Sequence, residues 1–242
     1  MAENNLNKEL VNNNNNNYLT PNFDIESFKD STLDKFEKNK NIIYGGVVAV
    51  LIVAVAVYYY FGVHRPAQKQ AAADSISAAQ FAFERDSFQL ALTGKDIPGQ
   101  ERVMGFLDII DNYGGTPSAN IAHYGAGVSL LHLGKYEEAI SQLQSYSGGD
   151  GMTQAMAYGA IGDAKSELNQ MEEALSFYLK AAAYQSNAAT SPYYLRKAAL
   201  LSEAQGKAED AKKYITQAIK DFPETAERMN LEADLIRITK SY

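Results

Sequence analysis

At 242 residues and 46% apolar content the chain is long enough to bury one good-sized core and to form one or two domains. A net charge of −7 argues against a nucleic-acid partner, which needs a positive surface to neutralise phosphates. With no cysteine, thiolate catalysis, disulfides and cysteine zinc sites are excluded, and three histidines remain as candidate metal ligands.

Residues 1–40 carry eleven asparagines, six of them consecutive from Asn12 to Asn17. Such a composition cannot bury enough surface to offset its chain entropy, so it predicts a disordered cytoplasmic tail. Near its end Phe28, Leu33 and Phe36 stand among Lys29, Lys35, Lys38 and Lys40, which suits a short helix leading into a membrane or a solvated linker.

Residues 41–63 hold no charge, and Ile42 to Val63 is an apolar run of 22 residues. As a helix it would be about 33 Å long against a hydrocarbon core of about 30 Å. Its twelve Ile, Val, Leu and Phe residues favour insertion by roughly 4 to 7 kcal/mol. Tyr58, Tyr59 and Tyr60 suit an aromatic anchor at the far headgroups. A buried core helix and a cleaved signal peptide compete with a membrane anchor. The long polar lead and the length of the run favour the anchor over the signal peptide. Four lysines fall in the twelve residues before Asn41, and only Arg65 and Lys69 in the twelve after Val63. That bias predicts a single-pass inner-membrane protein with its amino end in the cytoplasm and the rest outside, in the periplasm of a two-membrane bacterium. Gly45 and Ala49 permit close helix packing, but so common a pattern leaves the oligomeric state open.

In residues 64–116, Ala67 to Leu92 and Gln100 to Tyr113 read as helices separated by TGKDIPG. Phe81, Phe88 and Leu92 are predicted to pack against Val103, Phe106, Leu107 and Ile110 as a degenerate first helix pair. Beyond it the stretch LGKYEEAISQL, Leu133 to Leu143, returns as LNQMEEALSFY from Leu168 and more loosely as AQGKAEDAKKYI from Ala204. Gly134, Asn169 and Gly206 are 35 and 37 residues apart, as are Ala139, Ala174 and Ala211. A helical period near 34 is the signature of stacked helix pairs. The first set takes the left-handed conformation that ends a helix. Glu137-Glu138, Glu172-Glu173 and Glu209-Asp210 then fall in the first turn of each second helix, where carboxylates favour the dipole. The alanines mark close helix approach. Thr116-Pro117 and Ser191-Pro192 read as a capping hydroxyl before a proline at the first helical position. Residues 224–242 read as one capping helix, giving an all-α chain in which a single N-terminal transmembrane helix precedes a helical-hairpin solenoid.

These residues resemble the tetratricopeptide repeat family, with Gly127, Gly162, Ala181, Ala218 and Pro223 at further matching places and three units within residues 117–223. The resemblance implies a partner-binding groove lined by the first helix of each pair. Its candidates are Tyr124, Val128, Leu131 and His132, with Ile121, in the first unit; Asp163 and Glu167, with Met156, Gly159 and Ser166, in the second; and Tyr193 and Arg196, with Leu200, Glu203 and Ala204, in the third. The lysine and asparagine that grip a terminal carboxylate in one subclass are replaced by Tyr124 and Val128. The mixed groove instead suits an extended or helical polypeptide.

No catalytic, cofactor or metal constellation stands out, so no enzyme is expected. His123 and His132, nine residues apart, fall half a helical turn out of phase, and Gly148-Gly149-Asp150-Gly151 reads as a flexible connector. As an ordered set, LDKFEKNKNIIYGG, FAFERDSFQLALTG, GFLDIIDNYGGT and GKYEEAISQL resemble the YfgM-like family of ancillary Sec translocon subunits. That resemblance implies an adaptor whose partners are translocon subunits, periplasmic chaperones or secreted clients. A scaffold subunit of another cell-envelope assembly machine is the alternative.

Overall fold

The computed structural model describes residues 25–240, with side chains from residue 35. The described chain falls into two units, ending and beginning at Tyr60 and Phe61. In the first, α1 (Ile25–Tyr59) is a 35-residue helix whose described side chains are all exposed. Residues 25–40 of the predicted tail are thus helical, while the asparagine run lies outside the described residues. Among the described residues one helical stretch is long and apolar enough to cross a membrane by length and composition, and none of its apolar window is buried.

Among the described residues the regular structure of the second unit is helical, apart from one isolated antiparallel bridge, Lys95 to Val103. It begins with α2 (Arg65–Glu84), α3 (Phe88–Thr93) and α4 (Phe106–Asn112). Three hairpins follow: α5 (Pro117–His132) with α6 (Tyr136–Ser145), α7 (Gly151–Glu167) with α8 (Met171–Ala183), and α9 (Ser191–Ala204) with α10 (Ala208–Asp221). The short α11 (Pro223–Arg228) and α12 (Leu231–Lys240) close the series. Each helix packs on its hairpin partner and on the next hairpin, so three apolar clusters share Leu131 and Tyr158 as bridging residues.

The hairpins turn in one way for one chemical reason. Gly134, Asn169 and Gly206 have φ of 74°, 58° and 74°. The amide of each donates to the carbonyl three residues back, and the next amide to the carbonyl five back, as Lys135 does to Leu130 at 2.9 Å. This satisfies the last carbonyls of the first helix and reverses the chain in two residues.

Within each hairpin the helices meet on small residues. A Cβ built on Gly127 would lie 2.5 Å from Leu143 Cγ and 3.2 Å from the Ala139 carbonyl. On Gly162 it would lie 2.7 Å from the Tyr178 ring and 3.3 Å from the Ala174 carbonyl. In the third hairpin Ala199, Ala211 and Ile215, all 0% exposed, hold the equivalent places. Successive hairpins meet similarly: the Tyr194 ring of α9 covers Gly159 of α7, and the Phe106 ring of α4 covers Gly125 of α5.

Five local readings of the sequence need correction. The first helix stops at Glu84, because Asp86 (φ 54°) is left-handed and the Ser87 amide donates back to Ala82. Residues 100–105 are not helical: Gly94 and Gly105 cross with their backbones in contact, and Arg102 ties the loop to Asp96 (2.6 Å), Asp108 (3.2 Å) and the Thr93 carbonyl (2.5 Å). Phe81 is 55% exposed under the Arg85 guanidinium, whereas Phe83, seven residues from buried Ile76 and so on the same face, meets Phe88 and Phe106 edge-on. The closing helix is interrupted at Asn230 (φ 56°). At the two predicted proline starts, Thr116 caps α5 by accepting from Ala119 N at 3.2 Å, but Ser191 lies inside α9 and its hydroxyl accepts from the Asn187 amide.

Ala174 is fully buried against the Gly162 face, so Ala174→Phe is expected to lower stability by about 1–3 kcal/mol, the usual cost of overpacking. Ala183→Phe, at an exposed site of the same helix, should stay within about 0.5 kcal/mol. Denaturant unfolding of the full chain in detergent followed by circular dichroism compares them, and equal midpoints would refute the close-approach reading.

Candidate functional site: the face of the first helices

The first helices α5, α7 and α9 present equivalent positions to solvent because the hairpins repeat. Ile121, Met156 and Tyr193, again 35 and 37 residues apart, are 45%, 41% and 45% exposed. Each is a large apolar side chain flanked in sequence by buried residues, apart from half-buried Asn120.

Among the cavities that adjoin these helices, two contain predicted groove residues. One, of about 290 Å³, is lined by Gln80, Phe83, Glu84, Phe106, Ile121, Tyr124 and Gly125. The other, of about 370 Å³, is lined by Leu131, Tyr136, Asp163, Ser166, Glu167, Tyr178 and Lys197. Its polar wall is ordered by one carboxylate. Asp163 accepts from Lys197 Nζ at 2.6 and 2.8 Å and from the Tyr178 hydroxyl at 2.7 Å. The ammonium also lies 5.5 Å and 5.4 Å from the Tyr178 and Tyr193 ring centroids. Because the pair is about one-third exposed, it contributes more to placing Lys197 than to stability, where such pairs give about 0–1 kcal/mol. Across the cavity the Tyr136 hydroxyl donates to Glu167 at 3.3 Å.

The predicted groove residues divide by what holds them. Leu131, Asp163 and Glu167, with Ser166, line the larger cavity, and Tyr124, with Ile121, lines the smaller. Val128 is half-buried against the cluster between the first and second hairpins, and Tyr124 packs on Tyr146 at 5.4 Å. His132 stacks on Phe88 at 4.1 Å with the rings nearly parallel, and Arg196 pairs with Asp234 of α12 at 2.7 Å. Gly159 is covered by Tyr194, and Glu203 pairs with Arg237. Lys197, Tyr136 and Tyr178 line the cavity yet fall outside the sequence register. The latter two come from second helices, and Lys197 follows a register position by one residue. The signal for them was chemical: polar-tipped aromatics and a lysine beside a half-buried aspartate.

Gly148–Asp150 is a cap rather than a loose connector. Asp150 accepts from the Thr153 amide at 2.6 Å, which holds its carboxyl below the usual range, and Gly148 N donates to Gln154 at 2.5 Å. His123 Nδ1 sits 2.7 Å from Gln142, and among the described residues no group of three or more His, Cys, Asp or Glu is placed to hold a metal ion.

Burial, reinforced by the Asp163 charge and hydrogen bond, pushes the Tyr178 phenol far up, and burial does the same to Tyr194. Raised phenols keep their protons in the folded state while the unfolded chain releases them above about pH 10, so the folded state binds more protons there. Stability is fully present below that pH and is lost as pH rises beyond it. Thermal midpoints between about pH 8 and 11 are therefore expected to fall less steeply for Tyr178→Phe than for the wild type. Parallel curves would show that Tyr178 does not contribute to the alkaline loss.

Residues 155–187, which contain α8 and most of α7, match the family model described as "Tetratricopeptide repeat". No curated protein matches the chain. One solved structure, described as "Crystal structure of MamA", is similar over 56% of this chain and 81% of its own at 16% identity and a TM-score of 0.41, too remote for a functional argument. The architecture is a tetratricopeptide-like stack of helical hairpins, of the kind that generally mediates protein–protein interaction.

Proposed function

We propose that the chain is a membrane-anchored adaptor that holds polypeptide segments against the face made by α5, α7 and α9. The observation that carries this is the row Ile121, Met156 and Tyr193: large apolar side chains exposed at one repeated position of helices that also line two cavities. Exposed apolar side chains at repeat spacing are costly to keep in water and match the regularly spaced anchors of a helical or extended segment. The unburied apolar run from Ile42 supports the anchor, and the lysines before it support a cytoplasmic amino end with the repeats outside. Ile121, Met156 and Tyr193, with Tyr124, Val128, Leu131, Asp163 and Glu167, are the contact residues of this reading, while His132 and Arg196 steady the ends of the face.

The resemblance to the YfgM-like family gives the reading its place in the cell. The anchor keeps the repeats beside the Sec translocon at high effective concentration, and the face passes secreted clients to periplasmic chaperones.

A photo-crosslinking amino acid at Met156 in living cells is expected to yield adducts with translocon subunits, periplasmic chaperones or secreted chains. Adducts with cell-wall synthases and no translocon subunit would sink the translocon role. Protease added outside the inner membrane should digest the repeats, and their full protection would reverse the topology.

A further inference from the structure

We propose that the cavity bounded by Glu167 and Lys197 is a seat for one cationic side chain, the lysine or arginine of an incoming polypeptide whose apolar residues lie along Ile121, Met156 and Tyr193. The proposal rests on the reading of this face as polypeptide-binding and adds the chemistry of the partner.

Charge decides the occupant. The lining holds two carboxylates, Asp163 and Glu167, and one ammonium, Lys197, which leaves one negative charge. Lys197 and Asp163 answer one another, with both carboxylate oxygens within 2.8 Å of Nζ, and the Tyr178 hydroxyl takes a further position on Oδ1. The uncompensated group is Glu167. It is exposed, makes no ion pair among the described residues, and receives only the neutral Tyr136 hydroxyl at 3.3 Å. The nearest lysine on its own helix, Lys165, is committed to Glu173 at 2.7 Å and to Gln170.

Each class of ligand group fares differently here. An anion would face Glu167 and would have to take Lys197 from Asp163. An apolar side chain would strip water from a carboxylate and give nothing back. A cation completes Glu167 with a charge-assisted hydrogen bond and meets the polar rim of Ser166 and Tyr136. A bare metal ion lacks ligands, since no group of three or more acidic or histidine side chains gathers among the described residues. Apolar side chains on the neighbouring row supply the rest of the contact, so the matching segment is basic and apolar rather than acidic.

The test uses the full chain in detergent and fluorescein-labelled peptides of leucine, alanine and glutamine with one central lysine, norleucine or glutamate, read by fluorescence anisotropy. The lysine peptide is expected to bind about threefold tighter than the norleucine peptide, the ratio that one exposed ion pair supplies, and the preference should shrink with salt. Glu167→Gln should bring the ratio to near one, and Glu167→Lys should turn the preference toward the glutamate peptide; circular dichroism confirms that both remain folded. Equal binding of lysine and norleucine peptides to the wild type, or a preference that survives Glu167→Gln, overturns the cationic seat. If all peptides bind equally and Met156→Asp weakens them all, the polypeptide-binding reading stands and only the seat falls. If no peptide binds at all, both fall.

Discussion

Everything in the repeat unit depends on how closely the two helices of a hairpin approach. Gly127 lets Leu143 into the groove of α5, and Gly162 lets Tyr178 into that of α7, with the Ala139 and Ala174 carbonyls 3.2 and 3.3 Å from where the missing methyl groups would stand, closer than ordinary van der Waals contact. Close approach buries the ridge of one helix in the groove of the other and fixes their crossing. Because the same small residues recur 35 residues apart, the same crossing recurs, and each hairpin hands the next an equivalent surface. The three left-handed turn residues serve that constraint, since only a two-residue reversal returns the second helix at the right height.

The close approach also explains why the site is polar where it is. Tyr178 replaces Leu143 at the equivalent place of the second hairpin, and its ring fills the same groove. A phenol there carries its hydroxyl past the apolar contact to the edge of the stack, where it needs an acceptor. Asp163 supplies it, and Lys197 of the next hairpin compensates Asp163. One substitution of a core position thus builds a charged network across three helices of two hairpins, and its residual charge is left on Glu167.

What the sequence made legible follows from the same constraint. Positions fixed by backbone geometry or close packing, such as Gly134, Asn169, Gly206 and the buried alanines, announce themselves because few residue types satisfy them. Asp86 and Asn230 give no such signal, because, unlike Asn169, neither aligns with a glycine of another repeat, and both residue types are ordinary on a helix surface. Composition favours Phe81 and Phe83 equally as the core ring, and only the two-turn spacing from Ile76 selects the second. The cavity was least legible, since Tyr136, Tyr178 and Lys197 meet through the stacking of different hairpins, a relation that no local pattern encodes.

The ends of the stack show why equal register need not mean equal role. His132 and Arg196 occupy positions that the repeat assigns to a binding face, but each stands where the stack must be closed. At the amino end no hairpin precedes α5, and aromatic rings close it: Phe83 and Phe106 fill the interior while Phe88 stacks on His132. At the carboxyl end α12 is turned toward water as well as toward the core, and ions join it to α9 through Arg196 with Asp234 and Arg237 with Glu203. A closing element must be polar outside and specific inside, which ion pairs and offset rings provide better than more aliphatic area. The open positions are therefore those between the two closures, among them Glu167 and Met156 on the middle helix α7.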